Sequence, residues 1–157
     1  MSISVVPVVI TPTEVDIIKW IDKKCFPNDI NSLNFDGVYW WFAYDGDKPV
    51  AYAGTIYFPN NNAFLSRAGV LPGWRGMGLH RRLVRARERA AKARGYTRTV
   101  TYTSPENVVS SNNLIRFGYK LYTPPYKWGL VNGLYWERVL VRDTSDDIQI
   151  DDLPTAS

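Results

Sequence analysis

The chain has 157 residues, 45% of them hydrophobic and 14% aromatic, a size and composition that fit one domain with a sizeable core and exclude disorder over most of the length. The formal charge of +4 hides a split. Residues 143–157 hold five carboxylates and no base, which leaves nineteen bases against ten acids in residues 1–142, and nine of those bases stand against Glu88 alone between Arg75 and Arg98. An α/β domain over 1–142 and an acidic, flexible tail over 143–157 are expected.

The start, Met1 to Pro7, lacks a basic leader, and no later stretch reaches the ~20 apolar residues of a membrane span. A soluble, cytoplasmic protein without membrane contact is the expectation. Ile3 to Ile10, rich in β-branched residues, reads as a strand. Thr11-Pro12-Thr13-Glu14 is a capping box with proline at the first helical position. The helix that follows sets Ile18, Ile21 and Cys25 on one face and stops before Pro27, so Cys25 reads as a buried small hydrophobe. With one cysteine and one histidine, His80, neither an internal disulfide nor a His/Cys metal cage can form, and no metal is expected.

Residues 27–37, rich in Asn and Asp, read as a mobile loop or a short irregular helix. Three strands separated by turn signals follow, over 38–44, 50–58 and 63–70, and form an antiparallel meander. Alternation puts Trp40 and Trp41 on opposite faces, so one of them is expected at the surface or under the loop. Trp40, Trp41 and Tyr57 are candidates for the floor of a pocket or for plain core.

A glycine-rich turn, Gly73 to Gly78, then opens a helix whose apolar stripe is Leu79, Leu83, Ala86, Ala90 and Ala93, closed by Gly95. The arginines fall mostly off that stripe and read either as a plain solvated face or as a surface for an anionic ligand, the latter favoured by the glycines that precede them. Residues 97–103 alternate as a strand, Ser104-Pro105 caps a second helix that ends at Gly118, and 119–122 and 134–141 read as two last strands.

A strand, a glycine turn and a helix in that order form a general device for holding phosphate, because the first amides of a helix lack partners and its dipole favours an anion. A Walker loop would carry Lys-Ser or Lys-Thr where this chain has Leu79-His80, and a dinucleotide fingerprint would follow a parallel strand. The run Val70-Leu71-Pro72-Gly73-Trp74-Arg75-Gly76-Met77-Gly78-Leu79-His80 resembles instead the phosphate loop of the GNAT superfamily of acyl-CoA-dependent N-acyltransferases. In that loop Arg or Gln is followed at the third place by Gly and at the fifth by Gly or Ala. Asn107-Val108-Val109-Ser110, running to Gly118-Tyr119, is similar to the family's second signature. In order, the two motifs and the surrounding strands cover roughly residues 3–141.

The resemblance implies a mixed, mostly antiparallel sheet flanked by helices, splayed after Val70 to admit the pantetheine arm of acetyl-CoA. It also implies that the backbone from Arg75 through Gly76, Met77, Gly78, Leu79 and His80 holds the pyrophosphate, with side chains of Arg75, His80, Arg81 and Arg82 adding charge. Amides around Gly69, Val70 and Leu71 would face the acyl carbonyl, although glycine at 69 reads equally as a strand bulge. The implied activity is N-acetyltransfer to a primary amine by direct attack in a ternary complex. The acceptor, small or macromolecular, is expected among residues 28–36, residues 122–134 and nearby aromatics, on a monomer or homodimer.

Many family members carry a tyrosine where this chain has Leu114, so Ser110 is the replacement for the thiolate's acid, with Tyr102 and Tyr122 in reach from neighbouring strands and Asn107 orienting the pantetheine or the strand end. Glu106 is the nearest carboxylate for the amine's proton, and equally a helix-start carboxylate favoured by the dipole. Two alternatives remain open: a non-catalytic acyl-CoA-binding module, and a protein acting on nucleic acid through the Arg85 to Arg98 face, for which no recognition motif is present.

Overall fold

The computed structural model describes residues 2–140; the predicted acidic tail lies outside them. The strands are β1 (Ile3–Val8), β2 (Tyr39–Asp45), β3 (Lys48–Tyr57), β4 (Asn62–Val70), β5 (Arg98–Thr103), β6 (Lys120–Leu121) and β7 (Leu134–Val139). The helices are α1 (Pro12–Cys25), α2 (Leu79–Ala93) and α3 (Val108–Arg116), with a single 3₁₀ turn at Pro72–Trp74. All seven strands belong to one sheet in the order β1-β2-β3-β4-β5-β7-β6, antiparallel at β1/β2, β2/β3, β5/β7 and β6/β7 and parallel where Asn62–Phe64 meets Arg98–Val100. This is the mixed, mostly antiparallel α/β architecture that the sequence implies. No helix among the described residues is long and apolar enough to cross a membrane.

Contacts group the chain into two units, residues 2–56 with 65–90, and residues 57–64 with 91–140. In the first, β1 is an edge strand that tolerates Pro7, and β2 and β3 are covered on both faces. Trp40 and Trp41 are therefore both buried rather than one at the surface; Trp40 packs on Tyr52 and, as the other expected placement has it, under the 27–37 loop against Phe35. Ile18 and Ile21 of α1 and Leu79 and Leu83 of α2 complete this core. Helix α1 begins as predicted, with the Thr11 N–H donating to Glu14 Oε1 at 3.2 Å and the Thr11 hydroxyl donating to the same carboxylate. Residues 27–37 form no helix; Asx turns shape them, with the Asn31 N–H on Asp29 and the Asp36 N–H on Asn34.

In the second unit, rings of Phe58, Phe64, Tyr102, Trp128 and Tyr135 pack together at centroid distances of 4.9–5.9 Å. Gly129 is required there, because a Cβ would lie 2.4 Å from the Tyr102 ring. Helix α3 starts later than Ser104-Pro105 suggests: those residues form a turn, with the Asn107 N–H on Ser104 O at 3.0 Å, and Asn107 is the N-cap.

Candidate acyl-CoA site

Strand β4 delivers the chain to the glycine turn, and three contacts fix its path. Leu71 donates its N–H to Val50 O at 2.9 Å, and the Trp74 indole donates to Asp45 at 2.9 Å while Lys48 sits 4.5 Å over its ring. Gly76 and Gly78 then adopt φ of +79° and +76°, a left-handed backbone that residues with a Cβ enter at a cost of roughly 1–2 kcal/mol. These two glycines turn the chain into α2, whose first N–H bond runs from Arg82 to Gly78 O at 3.0 Å. The amides just ahead of that bond are those the helix leaves over, at the positive end of its dipole. Gly73 needs neither left-handed backbone nor close approach.

The side chains depart from expectation in several places. Leu71 does not offer its N–H to an acyl carbonyl, because Val50 already accepts it and the residue is buried. Arg75 folds back, its Nε donating to Val70 O at 2.9 Å, and the Cys25 thiol donates to the same oxygen at 3.3 Å. Gly69 is no bulge filler: a Cβ there would stand 2.9 Å from both Cys25 Sγ and the Tyr52 ring, so glycine lets α1 lie against β4. Arg82 reaches Ile3 O at 3.3 Å, while Arg81 is exposed beside the turn.

His80 is not a cation at neutral pH. Burial, and secondarily the Arg87 charge, push its pKa down to about 4 from an ordinary 6.5. The unfolded chain takes up a proton that the folded chain refuses, so the stability this residue contributes is whole above about pH 6.5 and lost as pH falls through about 4. His80 keeps some exposure, which reduces the effect to about 2 kcal/mol. Urea melts at pH 7.5 and 4.5 are expected to show wild type losing about that much more stability than His80→Gln.

The basic helix face is smaller than its composition suggests. Arg87 is 1% exposed, donating to Leu83 O, Gly54 O and Ser66 O, and so lies in the core. Arg85 pairs with the buried Glu88 at 2.7 Å, Arg94 stacks on Tyr57, and Arg98 pairs with Glu137 at 2.9 Å. A duplex-binding stripe across Arg85 to Arg98 is thereby broken up.

In the second unit Asn107 is the N-cap of α3, its Oδ1 accepting the Ser110 N–H at 3.1 Å, which leaves the amide Nδ2 as the group for the expected pantetheine or strand-end contact. Ser110 lies in the first turn of α3, half-buried. Glu106 accepts from the Ser104 hydroxyl, which lowers its pKa and weakens it as a base. The Tyr122 hydroxyl accepts the Trp128 indole N–H at 3.4 Å, and burial raises its pKa, so it stays protonated with its own hydrogen to give. Leu114, at the family's tyrosine position, is buried core.

A cluster that sequence reading passed over lies on α1 and β4. Asp22, at the spacing of Ile18 on the apolar face of α1, accepts from the Tyr52 hydroxyl and from Arg67, which also reaches Asp29. A carboxylate at that place on an apolar stripe was the available signal.

The acetyltransferase (GNAT) family model matches residues 12–119. No curated protein sequence matches the chain. Among solved structures, it is similar to a GNAT-family acetyltransferase from Staphylococcus aureus, with a TM-score of 0.73 and 14% identity over 89% of this chain and 100% of that one. The ribosomal-protein-S18-alanine N-acetyltransferase of Escherichia coli gives 0.73 and 12% over 92% and 98%. An acetyltransferase of Bacillus subtilis, in complex with CoA, gives 0.71 and 13% over 89% and 100%. At these identities the likeness is one of fold. The family match over two elements that the glycine turn joins, β4 and α2, assigns the rest: this chain belongs to the acetyltransferase (GNAT) family.

Proposed function

We propose that the protein transfers the acetyl group of acetyl-CoA to a primary amine by direct attack in a ternary complex. The observation that carries this reading is the turn at Gly76 and Gly78, which presents leftover helix amides beside Arg81 just after β4. A CoA pyrophosphate is the anion such a turn accommodates. The related fold of the B. subtilis protein holds CoA, which supports the same co-substrate here. Neutral His80 contributes its backbone rather than charge.

In the reaction the neutral amine nitrogen bonds to the acetyl carbon, the C–S bond breaks, and the CoA sulfur leaves as thiolate. The proton that the nitrogen loses goes to solvent or a base, and the thiolate takes one from a donor. Tyr122, held protonated with its hydrogen free of the Trp128 contact, suits that donor, and Ser110 is the second candidate. Glu106 fits the base role poorly, being exposed, hydrogen-bonded and a weakened base. The nucleic-acid alternative is disfavoured by the burial and pairing of Arg85, Arg87 and Arg98.

Calorimetric titration with acetyl-CoA, adenosine 3′,5′-bisphosphate and a DNA oligonucleotide at two salt concentrations tests this reading. One-to-one acetyl-CoA binding is the expected result. Binding of DNA alone with a steep salt slope would overturn it.

A further inference from the structure

Arg67 lies on β4 two residues ahead of Gly69, and its guanidinium is divided between two carboxylates. Its side edge is filled: Nε donates to Asp22 Oδ1 at 2.6 Å and Nη2 to Asp22 Oδ2 at 3.3 Å. Asp22 is buried, takes the Tyr52 hydroxyl as well, and is a fixed counter-ion. The opposite, end-on edge is only half used. Asp29 meets Nη1 with Oδ2 alone at 2.6 Å, since its Oδ1 accepts the Asn31 N–H at 2.8 Å. The second Nη2 hydrogen meets no protein acceptor among the described residues.

A guanidinium end is built to hold a carboxylate through two parallel bonds, and here an internal carboxylate supplies one. Arg67 and Asp29 keep 27% and 23% of their side chains exposed, so the pair opens to solvent rather than to the core, and Phe26 stacks on the guanidinium at 4.3 Å, holding it flat. Beneath the same loop, Trp40 is 2% exposed and its indole N–H has no partner, and the Ser66 hydroxyl next to Arg67 is likewise buried without one. Buried polar groups left open mark a place completed by something else.

We propose that the acceptor amine carries a carboxylate, which binds the end-on edge of Arg67 in place of Asp29, so that Arg67 selects amino acids over simple amines. This rests on the acetyltransferase reading above and deepens it. Asp29 serves as a stand-in that keeps the site neutralised when empty. The transfer step is unchanged; only which amine is retained differs.

The test compares each of the common L-amino acids with its decarboxylated amine, measuring release of CoA thiol from acetyl-CoA, alongside tryptophan fluorescence titrations of the same amino acids without CoA. At least one amino acid is expected to exceed its decarboxylated partner tenfold or more in kcat/KM and to give a saturable fluorescence change. Arg67→Gln should collapse that ratio toward one, Arg67→Lys should restore part of it, and Asp29→Asn should lower KM severalfold for the amino acid only. The double variant Arg67→Gln with Asp22→Asn, which leaves no buried unpaired carboxylate, guards against loss of folding in the single one. Equal use of both partners, an Asp29→Asn effect shared by both, or no turnover or saturation with any amino acid would overturn the proposal. Calorimetry with acetyl-CoA on the same sample separates these failures from failure of the acetyltransferase reading.

Discussion

Replacing Arg87 by alanine is expected to cost about 3–5 kcal/mol of unfolding free energy, the largest effect of any single arginine substitution in α2. Among the described residues the side chain is the largest of those fully buried, so its removal leaves a cavity between α2 and the β3–β4 strands. It also strips a donor from Gly54 O at 2.9 Å and from Leu83 O at 3.2 Å, in a place where water does not reach. Arg87→Met keeps most of the volume and loses only the hydrogen bonds, so it should fall between alanine and wild type. Arg89→Ala, two residues along and exposed, should stay within about 0.5 kcal/mol of wild type. Urea denaturation of the three variants checks the order; equal small losses for Arg87→Ala and Arg89→Ala would show that the guanidinium is solvated after all.

Substituting Gly78 by glutamate is expected to weaken acetyl-CoA binding about 100-fold or more. Two effects add. The φ of +76° demands a conformation that costs any side-chain-bearing residue roughly 1–2 kcal/mol, and relaxing it withdraws the amides from their shared aim. A carboxylate then stands at the positive end of α2, where it competes with the pyrophosphate for the same N–H groups. No neighbouring atom lies within 4 Å of a Cβ at this position, so the fold has room for the change and the loss should be one of affinity more than of stability. Gly73→Ala, at a residue with neither positive φ nor crowding, is the control and should bind normally. Calorimetry on both settles the matter, and an unchanged affinity for Gly78→Glu would remove the phosphate turn from the mechanism.

What could be read from the chain alone divides along the range of the interactions involved. Thr11-Pro12-Thr13-Glu14 and the Gly76/Gly78 turn are local devices, in which residues a few places apart fix the backbone, and they stand where the sequence puts them. The burial of Arg87 was also legible in principle: it lies four residues after Leu83 and three before Ala90, on the helix stripe, and only its residue type argued for solvent. The fate of the Leu71 N–H was not legible, because its acceptor, Val50, is supplied by a strand pairing that no local signal announces. Ser104 and Asn107 are both good N-cap residues three positions apart, and the choice between them depends on where β5 releases the chain. The Asp22–Arg67–Asp29 cluster joins β4 to a helix and its following loop far earlier in the sequence, so its parts were visible and its assembly was not.

The close packing at Gly69 has a practical side for anyone who assays this enzyme. The lone thiol of the chain is pressed against a strand, bonded to Val70 O, and pushed by burial to a pKa above its ordinary value, so little thiolate exists at neutral pH. A disulfide reagent that reports free CoA will therefore see the product sulfur and almost none from the protein, and turnover can be followed by colour in real time without blocking or mutating Cys25.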